Sequence, residues 1–200
     1  MTADGATASD PSAAGFVRPF FGEAVSGDAT FVRRAQGHWQ LAVIDGLGHG
    51  AAAAAAASAV CVELERHDWN DLVDLTRRCD AAARGTRGVA LTLVRVEQDT
   101  GACQHVAVGN VEVVAGNAAR RIAPLTRPGI VGAGVRQARI TRFMLERGDV
   151  LVIHSDGISG RFDLEQIAGT SATETAEALV ADYGKPHDDA GCVVLYYDDA

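Results

Sequence analysis

Four acidic points in this sequence could do chemistry. The apolar run Leu41-Ala42-Val43-Ile44 ends in Asp45-Gly46, and Leu47-Gly48-His49-Gly50 follows directly. Val150-Leu151-Val152-Ile153-His154-Ser155 ends in Asp156-Gly157 in the same way. Asp28 follows Ser26-Gly27, and Asp188 stands just ahead of the last apolar run. A carboxylate at a strand end beside a glycine suits a hard cation. The acid brings charge, and the glycine carbonyl can approach because no Cβ blocks it. Acids at strand ends on one sheet edge can meet in space although they lie far apart in the chain. Left unpaired in a low-dielectric site, they repel strongly, and divalent cations relieve that repulsion. Ligation by aspartate oxygens and water selects magnesium or manganese over zinc or copper. Two such ions, roughly 3.5–4 Å apart, orient and deprotonate a water and offset charge on a phosphoryl oxygen. A single Asp-Gly is an ordinary turn, so the combination of Asp28, Asp45, Asp156 and Asp188 is what predicts a metal-dependent hydrolase.

His49 opens a predicted helix beside Asp45, where an imidazole can protonate a departing oxygen. The plainer alternative is a helix-start residue bonded to nearby backbone. His154 lies on a core strand and reads as structural, and His187 reads as a loop residue beside Asp188. Cys61, Cys79, Cys103 and Cys192 are widely spaced, with no C-x-x-C pair. That spacing argues against zinc ligation and fits small core residues in a reduced interior. The formal net charge is −8 and no basic stretch stands out, which makes nucleic acid and anionic membrane poor partners. No apolar run approaches the ~20 residues of a membrane span. The start of the chain has no basic segment leading into an apolar one, so the expected location is the cytoplasm.

The elements that must position these acids can be read from the pattern. The first fifteen residues, mostly small and polar, are expected to be a disordered tail, with one domain over 16–200. Thr30 to Arg34 and His38 to Ile44 read as paired strands joined at Gln36-Gly37. A helix follows from about His49 to Arg66, and its seven consecutive alanines permit close approach to a sheet. Asn70 is expected to cap a second helix. Val89 to Glu97, Cys103 to Val108 and Val111 to Ala115 read as strands, with turns at Asp99-Thr100-Gly101, Gly109-Asn110 and Gly116-Asn117. Ile140 to Leu145 and Val150 to His154 are expected to form a hairpin through Arg147-Gly148-Asp149. Leu164 to Tyr183 reads as helix broken near Gly169, and Cys192 to Tyr197 as a final strand. Short strand connections imply antiparallel sheets. The predicted class is α+β: two packed antiparallel sheets flanked by helices, an αββα sandwich.

Ser26-Gly27-Asp28, Asp45-Gly46-Leu47-Gly48-His49-Gly50, Ser155-Asp156-Gly157-Ile158 and Asp188-Asp189 together resemble the metal-dependent Ser/Thr protein phosphatases. The likeness is to the type 2C or PPM family, in its SpoIIE-like branch, and it covers about residues 22 to 197. The resemblance implies that Asp45 bridges two metals and that Gly46 adds its carbonyl. It implies that Asp156 and Asp188 complete the first metal's shell and that Asp28 holds metal-bound water. It also implies a β-sandwich fold, Mn2+ or Mg2+ as cofactor, and phosphorylated regulatory proteins (STAS-domain or stressosome-like) as partners. Two departures stand out. Animal members carry a phosphate-gripping arginine shortly before the first motif; here Phe20, Phe21, Gly22 and Glu23 precede Asp28. They also carry a histidine directly after the metal-binding Asp-Gly, where this chain has Leu47, with His49 two further on.

Two other readings compete. Gly46-x-Gly48-x-x-Ala51 between a strand and a helix matches a dinucleotide fingerprint. Against it, Asp45 would set negative charge on the pyrophosphate, and a second helix follows where a parallel strand is needed. A catalytically inactive binding module is the other rival, and it gives no reason to keep repelling carboxylates together.

Overall fold

A computed structural model describes residues 12–167, 169 and 171–198. In chain order the elements are β1 (Ala13–Arg18), β2 (Asp28–Ala35), β3 (His38–Gly46), α1 (Ala51–Arg66), α2 (Leu72–Ala82), β4 (Val89–Glu97) and β5 (Ala102–Val108). Then come β6 (Glu112–Asn117), β7 (Arg120–Ile122), β8 (Thr141–Met144), β9 (Asp149–His154), α3 (Leu164–Ile167), α4 (Ala172–Tyr183) and β10 (Ala190–Tyr197). One sheet has the order β2-β3-β4-β5-β8 and the other β1-β10-β9-β6-β7. Every strand pairing within them is antiparallel.

The four layers explain the sequence pattern. On β3, Ala42 and Ile44 pack with Val60 and Leu64 of α1, while Leu41 and Val43 pack into the seam between the sheets. On β9, Val150 and Val152 face α4, and Leu151 and Ile153 face the seam. A strand covered on both faces needs apolar residues at every position, so these segments read as unbroken apolar runs rather than alternating ones. The alanines of α1 let its backbone come close to β3. A Cβ on Gly46 would lie 2.3 Å from the Ala53 carbonyl oxygen.

Several expectations need correction. Residues 1–11 of the expected tail lie outside the described residues, but Ala13 to Gly15 are not tail. They belong to β1, which pairs with β10, and Ala13 is buried in the inter-sheet seam. The second helix is capped by Asp71, not Asn70; the Asp71 side chain accepts from the backbone amides of Val73 and Asp74. Gly116 and Asn117 are strand residues of β6, and the turn falls on Ala118-Ala119. β8 and β9 do not pair with each other. β8 joins β5 in one sheet and β9 lies between β10 and β6 in the other, so the link between them crosses the sandwich. The turn from β5 to β6 crosses in the same way.

Candidate metal centre

Strand pairing assembles the acids. Antiparallel register sets Asp28 of β2 opposite Asp45 of β3. On the other sheet, β9 runs into Ser155-Asp156-Gly157, and Asp188-Asp189 lead into its neighbour β10. These two turns touch: a Cβ on Gly157 would fall 1.7 Å from the Asp189 carbonyl oxygen. The ends of both sheets thus open at one corner. Asp45, Asp156 and Asp188 line a cleft of about 280 Å3 there, together with Gly48, His49 and Asn110. Larger depressions exist, of about 550 Å3 along residues 127–137 and about 510 Å3 by Arg121 and Arg161. Neither gathers acids as this cleft does, so side-chain chemistry rather than volume marks the site.

Asp28 does not line the cleft but lies buried behind it. Its carboxylate accepts a 2.6 Å hydrogen bond from Ser155 Oγ, which itself accepts from the Gly191 amide at 3.0 Å. Ser155 therefore links the two sheets at the acid cluster. Burial, then the charge of Asp45, pushes the Asp28 carboxyl up to about 8. Burial, then Asp156 and Asp188, pushes Asp45 up to about 7. Asp188 is raised by burial and by Asp156. Asp156 is exposed and accepts from Asn110 Nδ2 at 2.6 Å.

His49 is fixed from two sides. Its Nδ1 meets Glu23 Oε1 at 2.7 Å, and its ring stacks on Phe20 with centroids 4.6 Å apart. The Glu23 carboxylate also covers Gly50, which precedes the first turn of α1, where negative charge is favoured. The Asp28, Asp45, Asp156, Asp188 and His49 positions thus come to one corner. Gly46 joins them, its amide donating to Gly27 at 3.1 Å.

The arrangement fits a hard divalent cation. Asp189 is buried; its Oδ1 accepts from the Phe20 amide at 2.8 Å, while its Oδ2 has no hydrogen-bond partner among the described residues. A buried, orphaned carboxylate oxygen among raised acids is a site short of positive charge. Among the described residues, no three His, Cys, Asp or Glu side chains close into a ready-made cage. The acids of the cleft offer oxygen donors, the set that magnesium or manganese takes.

Sequence reasoning singled out the four acids but gave no role to Asp189, Ser155, Asn110, Glu23 or Phe20. Asp189 and Ser155 stood inside the quoted motifs, so their adjacency was a usable signal. Glu23, Phe20 and Asn110 sit in turns with no periodicity and are recruited only by the fold.

The two packed antiparallel sheets with outer helices match the PP2C phosphatase fold. The chain belongs to the SpoIIE family: the profile for Stage II sporulation protein E matches residues 35–197. The phosphoserine phosphatase RsbX of Bacillus subtilis (strain 168) is 24% identical over 139 residues, which cover 69% of this chain and 70% of RsbX. A crystal structure of RsbX in complex with magnesium superposes with a TM-score of 0.80 at 22% identity, covering 91% of this chain and 92% of that one. A structure described as "The bacterial stressosome: a modular system that has been adapted to control secondary messenger signaling" reaches a TM-score of 0.86. It shares 36% identity and covers 92% of this chain and 97% of that chain. The PP2C phosphatase domain of SpoIIE from Bacillus subtilis gives 0.72 at 18% identity, over 94% of this chain and 63% of that structure.

Proposed function

We propose that this chain is a divalent-metal-dependent phosphoserine/phosphothreonine protein phosphatase. Its substrates are regulatory proteins of a bacterial stress-response pathway of the partner-switching or stressosome type. One observation carries the reading: acids from both sheets share a corner where burial and mutual repulsion push Asp28 and Asp45 far above the ordinary carboxylate range. The family match and the likeness to RsbX support the choice of phosphoserine chemistry.

In this reading Asp45, Asp156 and Asp188, with the Gly46 carbonyl, hold Mg2+ or Mn2+, and Asp28 acts through water. When bound, the ions supply a nucleophile at neutral pH and offset phosphoryl charge. Water attacks phosphorus in line, the bond to the serine oxygen breaks, and no phosphoenzyme forms. His49 gives its proton to the departing serine oxygen. Glu23 holds Nδ1, which leaves Nε2 as the nitrogen turned to that task. A single phosphatase domain spans the described residues, and no helix among them is long and apolar enough to cross a membrane. We place the protein in the cytoplasm.

The test is phosphate release from phosphorylated partner-switching proteins, with manganese and with chelator. Release with manganese that stops on chelation is the expected result. Binding of the phosphoproteins with no release under either condition would instead identify an inactive binding module.

A further inference from the structure

The cleft has a conspicuous imbalance. Its walls carry Asp45, Asp156 and Asp188, yet the proposed substrate is an anion. Lys185 reaches this corner too, but its Nζ donates to the Asp156 carbonyl; a further cation, Arg87, comes from the turn before β4. A Cβ on Gly48 would lie 2.6 Å from Arg87 Nη1, so the guanidinium rests where a side chain of Gly48 would stand. Gly48 lines the cleft beside Asp45 and His49.

The Arg87 backbone is tied to the strand end that bears Asp45. The Leu47 amide donates to the Gly88 carbonyl at 3.0 Å, and Val89 pairs with Gly46 in register. Thr86 Oγ1 donates to the Ala83 carbonyl at 2.6 Å and accepts from the Gly88 amide at 3.0 Å. The turn is therefore braced on both sides of Arg87. Arg87 itself is exposed, and among the described residues its side chain has no hydrogen-bond or ion-pair partner. A guanidinium on a braced backbone, unspent on any carboxylate, presents a planar fork that matches phosphoryl oxygens.

We propose that Arg87, lying over Gly48 at the rim of the Asp45–Asp188 cleft, grips the phosphoryl group of the substrate. The proposal rests on the phosphatase reading, and it supplies from the turn before β4 the cation that is missing ahead of Asp28. Gly48 has φ +87°, which favours glycine, and a Cβ there would displace the guanidinium from this position.

Arg87→Ala and Arg87→Lys test it. Four quantities are measured: inorganic phosphate binding at saturating manganese by calorimetry, manganese affinity, Tm, and turnover of a phosphopeptide and of para-nitrophenyl phosphate. Arg87→Ala is expected to weaken phosphate binding about tenfold or more, the size of a charge-assisted pair. KM should rise for both substrates while manganese affinity and Tm stay unchanged, and Arg87→Lys should recover part of the loss. Unchanged phosphate binding in Arg87→Ala overturns the proposal. An effect confined to the phosphopeptide overturns it too, by moving Arg87 to a contact with the protein part of the substrate. Lower Tm together with weaker manganese binding would make Arg87 a brace for the Gly48 turn instead. Equal turnover by wild type and Arg87→Ala removes Arg87 and leaves the phosphatase reading standing. A wild-type chain inert with manganese removes both.

Discussion

Asp149 and Asp80 are as deeply buried as the most enclosed acids of the cleft, yet their surroundings are the reverse. Asp149 accepts from Asn117 Nδ2 at 2.8 Å, from the Glu146 amide at 2.8 Å and from Arg120. Asp80 accepts from the amides of Gly132, Gly134 and Val135 at 2.8–3.0 Å. Burial pushes the Asp80 carboxyl up, but those amides and Arg84 outweigh it and hold it below the usual range. Behind the cleft, Asp28 has one hydroxyl donor, and in the cleft Asp45 has neither a donor nor a cation among the described residues. The protein therefore can satisfy a buried aspartate with its own groups. Where it does not, the deficit marks a place for charge from outside.

The largest expected effect breaks the cleft side of this contrast. Asp45→Asn or Asp156→Asn should lower phosphate release by about a thousandfold or more, as loss of an essential group does. The fold should persist, and the rise in Tm on adding manganese should disappear. Retained release in either variant would remove the site assignment. On the other side, Asp149→Ala leaves Arg120 with only the exposed Glu146 and takes the acceptor from Asn117 and the Glu146 amide, and should destabilise by about 1–3 kcal/mol, measured by denaturant unfolding. Its activity per folded molecule should match wild type; a selective loss of turnover would mean that the two groups of acids are not separate.

His49→Ala comes next. Turnover of a phosphoserine peptide should fall by tens of fold to about a hundredfold, with a smaller loss on an aryl phosphate that needs no proton on leaving. Equal losses on both would argue against proton donation.

The smallest effect is the sign of pH dependence in chelator. A carboxyl raised in the folded state contributes stability below its unfolded value, near 4, and loses it as pH climbs. Asp28 and Asp45 should therefore weaken the metal-free chain as pH rises through about 7–8. Asp80, held low, contributes above its unfolded value and loses that contribution as pH falls. Urea midpoints across pH should fall less steeply between about pH 4 and 8 in Asp45→Asn, where Asp28 remains, and less steeply on acidification in Asp80→Asn. The same slope in both variants would defeat the contrast.

Much of this was legible in advance because β3 and β9 are covered on both faces. Their apolar runs had to stop where the chain reached water, and each stops at an Asp-Gly. The separation of β8 and β9 into different sheets was not legible. Arg147-Gly148-Asp149 has hairpin chemistry, but Asp149 is a buried anchor for Arg120 and Asn117, not a turn residue. The shift from Asn70 to Asp71 at the α2 cap reflects two adjacent residues with nearly equal capping ability. β1 read as tail because Ala-Ala-Gly has little strand character of its own; its partner β10 supplies the reason to be ordered. Arg87 and Glu23 reach the site from turns whose composition says nothing about distant neighbours.

The pairing of β1 with β10 has a consequence for how the chain matures. On the ribosome, Phe20 and Asp45 emerge long before the segment holding Asp188 and Asp189, to which the Phe20 amide bonds. Contacts of such long sequence separation place the molecule among slow folders. A nascent chain stalled before β10 would hold only a fragment of the acid cluster.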